Sequence, residues 1–165
     1  MVWALYWKKK LNNKKTKLMN RIQIVERNKA SLILRFVNNL MDFLVLIILN
    51  FILTAICGLL YEITNFNFFY FYNNGGFLWE VFSGNVIFFL YYYLSEKFLN
   101  GRTIGKYVTG TKAVTILGGK PSNSDLLKRT FSRLVPFDAL SFFGTNGWHD
   151  SWSDTRVVKI RDFEN

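Results

Sequence analysis

Between Arg35 and Lys97 the chain has no lysine and no arginine, although those two residues number 21 in its 165. Ten of these cations lie at or before Arg35 and eleven from Lys97 onward. Two apolar runs fill the gap: residues 43–61, broken only by Asn50 and Thr54, and residues 77–94. At about 1.5 Å per residue each run crosses most of a hydrocarbon core roughly 30 Å thick. Other scarcities exclude chemistry. With His149 the only histidine, a multi-histidine metal centre is ruled out, and capping or packing is its expected use. Cys57, the only cysteine, sits deep in the first run and reads as a small apolar residue rather than a reactive thiol. No nucleophile and base stand at a recognisable spacing, so no enzyme, no catalytic residue and no cofactor are expected. Gly101, Gly105 and Lys106 fail as a phosphate loop, which needs four residues between its glycines and Ser or Thr after the lysine, where this chain has three and Tyr107.

What is present is an excess of positive charge, +10 in total, concentrated on both flanks of the apolar runs. Nucleic acid does not explain that placement; attraction to anionic lipid at the cytoplasmic face does. The competing reading is the core of a soluble domain, for which 165 residues is an ordinary length. Neither run carries a clean polar stripe at helical spacing, and aromatics crowd the ends, both of which favour a membrane hairpin. Cations flanking short loops stay inside, so both termini should be cytoplasmic and residues 62–76 external.

Along the chain, residues 1–20 put a short apolar stretch ahead of Lys8, Lys9, Lys10, Lys14, Lys15 and Lys17, the reverse of a secretory signal. They read either as a disordered basic tail or as an over-extended start with Met19 as initiator. Ile22 and Ile24 suggest a short edge strand. Ser31 should cap a helix over about 32–60, with the first span at about 36–60 and the second at about 77–94. The external segment holds Phe66, Phe68, Phe69, Tyr70, Phe71 and Tyr72, the rings of an interfacial belt, followed by a turn at 73–76. From 97 to 160 a cytoplasmic or interfacial layer is expected. It comprises a short strand or hairpin within 107–117, a second strand over 155–160, and between them an amphipathic helix capped by Ser122 or Ser124. In that helix Leu126, Leu127, Thr130, Phe131 and Leu134 share one side, opposite Lys128 and Arg129. Residues 134–143, with Pro136 and Asp138, are too short to span and should be re-entrant or interfacial. No internal repeat and no second domain are evident.

Arg35, Asn38, Asn39 and Asp42 fall at helical spacings and form one polar stripe. Asp42 lies about six residues past the start of the hydrocarbon, on the order of 9 Å deep. An ionised aspartate there is costly, so it should be paired, hydrated or protonated. Arg35 leans away from it along the helix, so a bridge through Asn39, or a cation from Arg129 or Arg133, is expected to reach it. Two roles stand open: a structural anchor, or an ion or proton site.

Arg35 with Asp42, the GRTIGKYVTGTKAV stretch at 101–114 and HDSWSDTRVV at 149–158 together resemble the RDD family of bacterial integral membrane proteins, over about residues 30–160. The last motif is similar to the family's HDrlagTxVV, with Trp152, Ser153 and Asp154 where Leu, Ala and Gly are common. The resemblance implies that Arg35, Asp42 and Asp150 are the family's arginine and two aspartates, with Asn39, Arg129, Arg133 and His149 in support. It also implies a bacterial inner-membrane protein; since two helices cannot enclose a pathway, transport would require a homo-oligomer or a partner subunit. Transport of a monovalent cation or proton is the implied activity. The alternative is an accessory protein whose charged motifs stabilise packing.

Overall fold

A computed structural model describes residues 2–134 and 148–163. Two long helices dominate it: α2, Leu32–Thr64, and α4, Phe77–Phe98. At about 1.5 Å per residue they are roughly 50 and 33 Å long, and both are apolar enough to cross a membrane. Their side chains decide between the two readings of the cation void. Phe51 is 75% exposed and Leu78 81%, so the apolar surface points outward instead of packing into a core. Such a surface calls for lipid.

Ser31 caps α2 by accepting from the Leu34 amide, as its position predicts. The aromatic segment between the long helices is itself helical: α3, Asn67–Asn74, folds back on α2, and the Asn73 amide reaches the Thr54 carbonyl at 3.2 Å. Gly76, with φ of +80°, turns the chain into α4.

The polar layer gathers at the end of the hairpin formed by the start of α2 and the finish of α4. It consists of α5, Ile104–Val108, strand β1, Thr111–Thr115, helix α6, Asn123–Arg133, the short α7, Trp148–Trp152, strand β2, Thr155–Lys159, and a last turn α8, Ile160–Phe163. β1 and β2 pair antiparallel, with Ala113 opposite Val157. Ser122 and Asp125 form a reciprocal capping box at the start of α6.

Three expectations change. Residues 2–27 form a helix, α1, in place of a disordered tail and an edge strand at Ile22 and Ile24. The stretch contains neither glycine nor proline, and its lysines, leucines and methionine favour helix even where few contacts hold it. The edge pairing with β2 comes later: Lys29 bridges Val158, and the Ala30 amide donates to the Val157 carbonyl at 2.8 Å. Val25 packs there with Val114 and Val158. In α6 the buried side is Leu126, Arg129, Thr130 and Ser132, whereas Phe131 stays 59% exposed. Arg129 turns inward because acids wait for it. The segment at 134–143 lies, beyond Leu134, outside the described residues.

Candidate functional site

Three buried carboxylates, Asp42, Glu96 and Asp150, sort into two adjoining clusters, one neutral in its donors and one charged. Asp42, on the second turn of α2 past Arg35, is 1% exposed. Its Oδ1 accepts from the Tyr91 hydroxyl at 2.6 Å and from the Gly105 backbone amide at 2.8 Å, while Oδ2 accepts from the Thr103 hydroxyl at 2.7 Å. Every one of these donors is neutral. Neither Arg35 nor Arg129 nor Arg133 pairs with Asp42, and no bridge through Asn39 forms, contrary to the sequence expectation. Thr103 caps α5 through the Lys106 amide, so the carboxylate docks at the mouth of that helix and takes an N–H that the first turn leaves unused. Close approach demands glycine here. A Cβ on Gly105 would lie 2.4 Å from the Asn38 carbonyl and 2.8 Å from Asp42 Oδ1.

One turn nearer the polar layer, Asn38 is 2% exposed. Its amide donates to the Thr111 hydroxyl at 3.0 Å and its carbonyl oxygen accepts from the Thr109 hydroxyl. Asn39, the neighbour singled out from the sequence, is only half-buried. Asn38 therefore joins the membrane helix to the start of β1.

The charged cluster centres on two acids with no exposure at all, Glu96 and Asp150. Arg129 spans them: Nε is 3.2 Å from Glu96 Oε2, and Nη1 is 2.7 Å from Asp150 Oδ1 and also donates to the Thr155 hydroxyl. Arg35 Nη1 lies 3.5 Å from Asp150 Oδ2. Glu96 Oε1 accepts from Lys106 Nζ and, at 2.9 Å, from Arg133 Nη2. The Arg133 guanidinium also lies over the Tyr92 ring at 4.4 Å, a cation–π contact. Arg35 and Asp42 thus share a helix face but serve different clusters, and Asp150 is brought to Arg35 and Arg129 from the far end of the chain. The backbone of His149 lies in α7 beside Asp150; its side chain is outside the described part.

Among the described residues, four cations (Arg35, Lys106, Arg129 and Arg133) face the two carboxylates of this cluster, Glu96 and Asp150. Glu96 divides its field among three of those cations, so Lys106 is incompletely compensated. Burial then prevails and lowers the Lys106 amine to a pKa of about 8, the two arginines adding to the effect against the pull of Glu96.

Sequence reasoning missed Glu96, Lys106, Tyr91 and Thr103. A signal for Glu96 existed: it is the last residue of the cation void, an acid on an apolar helix, which in a membrane requires partners. Nothing in local spacing ties Tyr91 or Thr103 to a residue 49 or 61 positions earlier.

A family model described as RDD family matches residues 29–156. Comparison with curated proteins and comparison with solved structures each give no match.

Proposed function

The chain belongs to the RDD family, and on that premise we propose that it is a non-enzymatic, multi-pass membrane protein whose Arg/Asp motifs lock a polar layer onto a transmembrane hairpin. The setting is the bacterial inner membrane, with both termini cytoplasmic, anionic lipid around the basic flanks, and a second copy or a partner subunit completing the assembly. One observation carries the structural role: the Asp42 carboxylate is already engaged by three protein donors in a site that excludes solvent. An exchanging carboxylate would need room for its ion beside the oxygens. Gly105 instead presses its backbone against Asp42 and Asn38. Asp150 and Glu96 likewise spend their oxygens on arginine and lysine drawn from α2, α5 and α6.

The test is flux. Purified chain reconstituted in liposomes under imposed sodium, potassium or proton gradients should carry no current above empty vesicles, while Asp150→Asn should lower the yield of folded protein. Ion flux abolished by Asp42→Asn in a variant that still folds would overturn the structural reading.

A further inference from the structure

The hairpin has a polar feature that the buried clusters do not use. Phe43, Ile47, Asn50 and Thr54 recur every three or four positions and so form one stripe down α2. Facing them on α4 are Gly84 and Phe88, and between the two helices runs an open groove of about 560 Å³. Asn50 stands near the middle of α2, exposed, at the depth where a bilayer holds least water. Its Oδ1 faces the Thr54 hydroxyl at 3.5 Å, and among the described residues no hydrogen bond uses its amide hydrogens.

Acyl chains would fill the volume of this groove but leave those donors unmet. A carboxamide is donor and acceptor at once, so the same group on a second copy, related by a twofold axis, satisfies both needs. The shape agrees: a Cβ at Gly84 would meet nothing within 4 Å, which leaves the α4 backbone open to close approach by another helix. The groove lining carries no charge that would repel its own copy. We propose that this groove is the contact between two copies of the chain, the α2 of each set into the groove of the other and closed by reciprocal Asn50 hydrogen bonds. The inference rests on the membrane reading above and names the assembly within it.

The experiment uses the full chain with Cys57→Ser, labelled at Ser124→Cys with donor or acceptor dye and reconstituted over a range of lipid-to-protein ratios. Energy transfer should follow a monomer–dimer equilibrium. Asn50→Leu, which only increases apolarity and so leaves insertion intact, should weaken it about three- to tenfold. Asn50→Gln should stay close to the parent, and Gly84→Leu, which fills the groove, should weaken it as well. In cross-linking, Ile47→Cys should join two copies, whereas Ile56→Cys, on the opposite side of α2, should not. Transfer unaffected by both Asn50→Leu and Gly84→Leu would overturn the proposal, as would random-collision transfer at every ratio, the result expected if lipid chains occupy the groove. Asp150→Asn should leave the dimerisation of its folded fraction unchanged, so failure of the structural reading and failure of this interface give different results.

Discussion

Asp42 and Asp150 are both buried aspartates, yet their neutralisation should have unequal effects. Asp150 offsets the charges of Arg35 and Arg129, so Asp150→Asn removes a shared counter-charge from two buried guanidinium groups, Arg129 keeping only Glu96 as an acid partner, a loss on the order of 3–5 kcal/mol. Around Asp42 the donors are neutral, and removing one of them through Tyr91→Phe should cost about 1.5–3 kcal/mol. Thermal unfolding in detergent should rank Asp150→Asn well below Tyr91→Phe; equal losses would mean that Asp150 is not the main counter-charge. Lys106 adds a pH dependence. With a folded pKa of about 8 against an ordinary 10.5, the folded protein releases this proton first. The unfolded chain binds more protons between those values, so native stability should rise as pH climbs through the window. The full span is worth about 3 kcal/mol. Lys106→Met, which removes one of the four cations crowded on Glu96 and Asp150, should be at least as stable as the parent at pH 7, and its advantage should vanish by pH 10. A constant difference across that range would show that Lys106 does not titrate there.

Between elements, α5 packs closely against α2, and Gly105 sets the distance. Gly105→Ala drives a methyl into the Asn38 carbonyl, so α5 must move outward and the Asp42 and Asn38 hydrogen bonds lengthen together. Hydrogen exchange should accelerate in residues 104–111 while the middle of α4 keeps its protection; unchanged exchange at 104–111 would show that the join has slack. The elements themselves were largely legible. Cation placement and apolar length located α2 and α4, Ser31 marked the start of α2 and Ser122, one of two candidates, that of α6, and the valine- and threonine-rich stretches around 111 and 157 indicated the strands. Joins between elements were not. The amphipathic pattern of α6 gave its helical form and misassigned its inner face, because Arg129 looks like a surface residue until Glu96 and Asp150 are known to meet it. At the site, the sequence singled out Arg35, Asp42 and Asp150 and left open whether they anchor the fold or hold an ion; all three are buried, but the Asp42 partners were not foreseeable, since hydroxyl and backbone donors carry no charge pattern to read.

For the whole molecule, the polar layer sits at one end of the hairpin and α3 at the other, which turns topology into a two-sided measurement. In a Cys57→Ser background, cysteines at Glu62 or Asn67 should react with a membrane-impermeant reagent in intact cells, and cysteines at Lys8 or Ser124 only after the membrane is opened. Labelling of Ser124→Cys from outside would invert the molecule and remove the basis for placing its basic flanks against cytoplasmic lipid.

The Asp42 hydrogen bonds also impose an order in time. Thr103 and Gly105 follow Asp42 by 61 and 63 positions, so at about 5–20 residues per second the ribosome needs roughly 3–12 s to supply them after it has made the aspartate. During that interval the Tyr91 hydroxyl is the one native donor to Asp42 that the chain already carries. A nascent chain halted before residue 91 would therefore carry in α2 an aspartate for which none of its three native donors has yet been made.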